Sequence, residues 1–320
     1  MPVRWLVGTV IALVLGAHYS RAQPRPALPP AVWQPTGERV TWRNLSFIVP
    51  TGMRGVAKPD GFEMSGLGVS GRGGQCHIII FAETPSGGDL ATRAQDFLVE
   101  SMAVLGVGVA DSRGGSNLIG DRRVGRTTDG WRYVELNGMV TPGGAGRARI
   151  VLIDHGVTVV PILAVSDHLN GCVGLTNETT PNGNTITWVA LYHSLKLPGA
   201  TPSDHLREQV IGRWESFGRS AGGAGALQDE AFGSNGRYGG GSVGADSSGK
   251  LMAPNLGDGR YIVDESKLVI FPRAGPPEAV LIRVIEDYSE TEPSKPTVRL
   301  CKLKVDATGP YEICLSRLEK

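Results

Sequence analysis

The chain has 320 residues, and 32 basic against 31 acidic side chains leave it a net charge of +1. Such a balance carries no electrostatic footprint for nucleic acid, so no nucleic-acid partner is expected. With 45 glycines and 21 prolines but few aromatics, the composition favours short strands and many turns over long helices.

The chain opens MPVRWLVGTVIALVLGAHYSRAQ, with Arg4 as a positive start, an apolar stretch from Trp5 to Ala17, and a small-x-small exit at Ser20-Arg21-Ala22. This predicts a secretory signal peptide over residues 1–22, cut before Gln23. The apolar stretch is shorter than the about 20 residues of a membrane span, so no stable span is expected after cleavage. Losing Arg4 and Arg21 reduces 32 basic residues to 30 against 31 acids, a net charge of −1. The expected location is secreted or periplasmic. Residues 23–39 form a proline-rich lead-in, with five prolines in QPRPALPPAVWQP.

From about Val40, VTWRNLSFIVP, GFEMSG and CHIIIFAE read as strands, and DLATRAQDFLVESMAVLG reads as a helix capped by Asp89. Four more strands follow, with Asp154-His155-Gly156 as a hairpin turn, and TITWVALYHSLKLPG reads as a closing helix. The order predicts an α+β domain over residues 40–198, one antiparallel sheet with packed helices. The W-x-x-L-x-F-x-V-P phrase (Trp42, Leu45, Phe47, Val49, Pro50) and the closing Ser194-Leu195-Lys196-Leu197-Pro198 resemble the PsbP-like fold of small exported domains. That resemblance implies docking to a partner, here an envelope protein, more than catalysis.

Residues 199–206 read as a linker. From Arg207 to the end, short strands and turns give eight strands in about 110 residues, the density of an all-β up-and-down barrel. Gly212-Arg213-Trp214 at the first strand and Arg317 near the end of the last resemble the lipocalin-like signature, covering residues 207–320. The resemblance implies that Trp214 closes one end of the barrel and Arg317 packs across it. An arginine over an indole is worth about 0.5 to 2 kcal/mol.

Four cysteines, in an exported chain, predict two disulfides. A two-residue turn at Ala307-Thr308 places Cys301 opposite Cys314 and puts Pro310 at a non-hydrogen-bonded position. Cys76 and Cys172 then remain for each other. The competing reading is a zinc site, and a zinc-dependent enzyme, using Cys76, His77, His168 and Cys172.

Two catalytic outlines overlap at residues 238–254, YGGGSVGADSSGKLMAP. Gly244 to Lys250 has the phosphate-loop spacing, but Leu251 supplies no hydroxyl and Pro254 follows within the required helix. Gly240 to Gly244 has the nucleophile-elbow spacing, but no helix-forming segment follows Ser242. Residues 240–258 read instead as a glycine-rich loop at the open end of the barrel.

On the last hairpin, Tyr311, Ile313, Leu315 and Arg317 share a face with Val298, Leu300, Lys302 and Lys304. If that face is inward, Lys302, Lys304 and Tyr311, with Arg283 as a further polar candidate, line the interior and suit an amphipathic acid. In the commoner arrangement the lysines face water, because lysine is seldom buried. The sequence therefore predicts an exported, non-enzymatic chain: a lipocalin-like barrel for a small amphipathic or hydrophobic ligand behind an N-terminal docking domain. A structural or interaction protein of the envelope, without a ligand, is the alternative. No cofactor is implied.

Overall fold

Alternation of apolar and polar residues runs through most of the chain, and strands are what it forms. A computed structural model of the protein describes residues 37–318, apart from 51–52, 68–74, 112–113, 128–129, 143–145, 167–190, 192–193, 199–204, 220–224, 246–254, 265, 290 and 307–308. The expected signal peptide and most of the lead-in lie outside the described residues. No helix among the described residues is long and apolar enough to cross a membrane.

The first half runs β1 (Gly37–Trp42), β2 (Leu45–Pro50), β3 (Met53–Ala57), β4 (Gly61–Leu67), β5 (Gln75–Phe81), β6 (Thr84–Pro85), α1 (Leu90–Val104), β7 (Gly108–Ala110), β8 (Arg123–Arg126), β9 (Arg132–Thr141), β10 (Arg147–Asp154) and β11 (Thr158–Ser166). Antiparallel pairing orders one sheet β3-β4-β5-β11-β10-β9-β8, with β6 added to β11 and β7 to β9. Helix α1 starts where the Asp89 carboxylate accepts from the Thr92 backbone N–H at 2.8 Å. Its buried stripe of Ala91, Ala94, Leu98 and Met102 packs with Leu136, Ile150 and Leu152 on one face of the sheet. The β1–β2 hairpin covers part of the other face, packing Trp42 and Phe47 with Ile78, Tyr133, Val151 and Ile153.

The second half begins with α2 (His205–Val210) and continues through β12 (Gly212–Arg219), β13 (Gly225–Phe232), β14 (Arg237–Ala245), β15 (Asn255–Asp264), β16 (Lys267–Pro272), β17 (Glu278–Ser289), β18 (Glu292–Asp306) and β19 (Gly309–Arg317). Each strand pairs antiparallel with the next, and Trp214↔Arg317 and Glu215↔Ser316 join the first to the last. This is a closed eight-stranded barrel. The ends at Arg219, Gly225, Ala245, Asn255, Pro272, Glu278, Asp306 and Gly309 share its open mouth.

The expectation of a separate α+β domain, one sheet with several packed helices, is overturned. Strands dominate throughout, and α1 and α2 are the two α-helices with defined bounds among the described residues. The expected closing helix falls mostly outside those residues. Nor is the first sheet self-contained, because β8 pairs with β17 through Arg123↔Asp287, Val124↔Glu286 and Gly125↔Ile285. The cause is a difference in strand length. β16 pairs only with Glu278 to Leu281 of the 12-residue β17, so the edge of β17 beyond would stand open. An unpaired edge invites association, and β8 occupies it.

The 240–258 loop is also shorter than expected, since β14 runs to Ala245 and β15 starts at Asn255. The G-x-S-x-G outline therefore lies in a strand paired with β13, and with β15 through Ser242, rather than on a strand-to-helix elbow.

Candidate functional site

The closed end of the barrel is sealed by its own side chains. Gly212 holds φ at 142°, a backbone conformation that side chains disfavour, which accounts for the glycine of G-x-W. Two residues on, Trp214 is fully buried and donates its indole N–H to the Val210 carbonyl at 2.8 Å. The Arg317 guanidinium lies 4.6 Å above the indole and donates to the carbonyls of Gln209 and Ile211. Phe232, Tyr261, Leu268, Ile270, Val280 and Leu315 pack with Trp214, and Leu206 and Val210 of α2 join the same core.

Above this plug the interior carries charge. Lys302 is 2 % exposed, and its ammonium donates to both oxygens of the Glu230 carboxylate. Gln228 donates to the same carboxylate at 2.6 Å. Burial pushes the Lys302 ammonium pKa down, and Glu230 opposes that shift. Burial also pushes the Tyr238 phenol up, and the Glu230 and Glu278 carboxylates add to it. Two residues closer to the mouth, the half-buried Lys304 ammonium lies 3.3 Å from Glu278.

The commoner expectation, in which the lysines face water, is therefore overturned for Lys302. Its countercharge, Glu230, comes from five strands away and was not singled out by sequence. Tyr311 sits opposite Lys304 in the ladder, and its side chain is outside the described residues. Arg283 does not belong to this interior: its neighbours Ile282 and Val284 pack in the barrel core, so alternation turns Arg283 to the outer face.

Cys301 and Cys314 form a disulfide with Cα atoms 3.9 Å apart, in the expected register with Val305↔Pro310 and Asp306↔Gly309. Cys76 is buried on β5 and disulfide-bonded. Cys172 and His168 lie outside the described residues. A disulfide removes the Cys76 thiolate that zinc would need, and the exposed His77 points to the opposite face of β5. Among the described residues no group of three or more His, Cys, Asp or Glu side chains could hold a metal ion.

A second charged group occupies the outer face where the first sheet meets the barrel. Register and alternation place Arg147 and Arg149 of β10, Glu135 and Asn137 of β9, Arg123 of β8, Asp287 and Arg283 of β17, and Arg299 of β18 on one continuous face. Arg123 lies 3.3 Å from both Glu135 and Asp287, and Asp287 lies 3.1 Å from Arg299. Arg149 lies 3.6 Å from Glu135 and donates to Asn137 at 2.7 Å. Burial pushes the Glu135 carboxyl up, but Arg149, Arg123 and Arg283 outweigh it and hold its pKa at about 2.

Sequence reasoning assigned none of these residues to an outer charged cluster. In RARIVLID, Arg147 and Arg149 alternate with apolar residues, the signature of a half-solvated strand. The recurrence of arginine on one parity, diagonal to Glu135 on the preceding strand, was the available signal. No protein-family model matches the chain, and no curated protein matches its sequence.

Proposed function

We propose that the mature protein is an exported, non-catalytic binding protein whose barrel takes a small amphipathic molecule at its open mouth. The carrying observation is the buried Glu230–Lys302 layer, which sits over the packed apolar core of the barrel. On the mouth side, Gln228 follows Glu230 at the same parity of β13 and donates to its carboxylate. Below the layer, aromatic and aliphatic side chains fill the barrel, so a purely hydrophobic ligand has no seat there. The polar end of the guest meets Lys304, Glu278 and the charged layer. The signal-like N-terminus and the Cys301–Cys314 disulfide support work in an oxidising compartment outside the cytoplasm.

Native mass spectrometry before and after organic extraction tests this reading. Protein purified without denaturant is expected to carry an extractable mass of one small molecule, which Gly240→Leu reduces. An empty wild-type protein overturns ligand binding and favours the second reading, a structural protein of the envelope. That reading draws on the filled apolar half of the barrel and on the β8–β17 pairing that joins the two halves.

A further inference from the structure

The charges beneath the barrel mouth are already paired. Lys302 meets Glu230 and Lys304 meets Glu278, so they cancel two by two. Two uncharged polar groups beside them keep open hydrogen-bonding capacity. Tyr238 packs against Phe232 in the barrel core, and its ring leans along β14 until the hydroxyl stands over Gly240, where a Cβ would collide with it. In the ladder Gly240 lies opposite Glu230. The Tyr238 hydroxyl makes no hydrogen bond among the described residues, and it is not sealed from solvent. The half-buried Gln228 turns its amide N–H to the Glu230 carboxylate, which can only accept, at 2.6 Å. Its carbonyl oxygen is left without a donor among the described residues.

We propose that the guest of the mouth carries an uncharged head that both donates and accepts a hydrogen bond, a hydroxyl or a carboxamide, held by the Tyr238 hydroxyl and the Gln228 carbonyl. The proposal rests on the mouth being a ligand site and narrows its guest from amphipathic molecules in general to neutral ones.

Electrostatics gives the first argument. An anionic head would have to share Lys302 or Lys304 with a carboxylate already on it, and a cationic head would have to share Glu230 or Glu278 with an ammonium already on it. Taking a charge out of water costs far more than taking a hydroxyl, and an engaged countercharge offsets little of that cost. The phenol is itself a neutral donor, because burial and the Glu230 and Glu278 carboxylates push its pKa up.

Complementarity gives the second. The phenol offers a hydrogen and the amide carbonyl a lone pair, so a hydroxyl or carboxamide satisfies both at once. A carboxylate satisfies only the phenol, and an ammonium only the carbonyl. A few such polar groups are what fix the orientation of a small molecule in a concave site.

Isothermal titration calorimetry at neutral pH, on mature protein cleared of any resident guest over a hydrophobic resin, tests this with 1-octanol, octanoate and octylamine. Octanol is expected to bind at one site per chain, and octanoate and octylamine more weakly by about tenfold or more. Tyr238→Phe and Gln228→Met each remove one contact and are expected to weaken octanol binding about fivefold. Tyr261→Phe, whose hydroxyl donates to the Gly233 carbonyl at the closed end, is expected to leave it unchanged. Octanoate or octylamine binding as tightly as octanol overturns the neutral head while leaving the mouth a ligand site. No binding of any probe at about 1 mM overturns the mouth site and the proposal with it. Unchanged octanol affinity in either Tyr238→Phe or Gln228→Met, with an unaltered circular dichroism spectrum, overturns the proposed contacts, so one folded variant suffices.

Discussion

The β17–β18 pair carries buried charge on both of its faces, and the two faces are balanced differently. Inside the barrel, one lysine meets one glutamate, Gln228 adds a hydrogen bond to the carboxylate, and the charges cancel. Outside, arginines outnumber carboxylates among the described residues, and Glu135 and Asp287 are each shared by more than one guanidinium. A cancelled pair needs no third party and divides a core into layers. A shared cluster spreads each carboxylate over several guanidiniums, so no single contact carries it.

The largest expected effect separates these modes. Lys302→Met leaves Glu230 buried without its countercharge, and breaking such a pair costs about 3 to 5 kcal/mol. Urea denaturation of this variant and of Lys302→Met/Glu230→Leu should show the double variant recovering most of the loss, because an apolar pair of similar volume is no less stable. Arg123→Met should cost less, since Arg149 and Arg283 still face Glu135. Equal losses in Lys302→Met and Arg123→Met would erase the distinction between a closed pair and a shared cluster.

The outer cluster should also set the acid limit of the fold. Glu135 has a pKa of about 2 in the folded protein against an ordinary 4.5. A depressed carboxyl contributes stability that is fully present above the ordinary value and is lost as pH falls from about 4.5 toward about 2. The contribution is on the order of 3 kcal/mol. Urea midpoints measured across that window should fall steeply for wild type and more gently for Glu135→Gln. Parallel slopes would place the acid sensitivity elsewhere.

What the sequence disclosed follows the range of the interactions. The Cys301–Cys314 hairpin was legible because turn length fixes register within 13 residues of sequence. The barrel was legible because period-two alternation and turn spacing repeat along it. The α+β reading failed because strand periodicity says nothing about which edge a strand will meet. Arg123 and Asp287 are 164 residues apart, and their contact depends on β16 being shorter than β17. Glu230 was passed over for a related reason: Gln228 and Glu230 on one parity look like a solvated face until Lys302 is placed opposite. Arg283 showed that a buried arginine was plausible in AVLIRVIEDY, but not which side of the sheet it faced.

At the closed end, Arg317→Met tests how far the seal resembles the inner pair. The guanidinium packs on the Trp214 indole and donates to backbone carbonyls at the end of α2, without a carboxylate partner among its described contacts. Its removal leaves no buried countercharge, so the loss should be about 2 kcal/mol, from the cation–π contact and charged hydrogen bonds together. A thermal melt followed by Trp fluorescence reads it. A loss as large as that of Lys302→Met would make the seal, rather than the charged layer, the main determinant of barrel stability.

The smallest effect provides the baseline for the other three. Asp89 lies away from both charged groups and holds the first turn of α1 through the Thr92 N–H at 2.8 Å and the Thr92 hydroxyl at 2.9 Å. Hydrogen bonds from Thr92 lower its carboxyl pKa, so the ionised form is the one that caps. Asp89→Ala removes a helix cap, worth about 1 kcal/mol, and Asp89→Asn should keep most of it. Neither change should alter the Glu135-dependent acid limb. If Asp89→Ala did shift it, α1 would have to transmit through Leu136 and Ile150 to the charged residues on the far face of the same strands. The two faces of the first sheet would then respond as one unit.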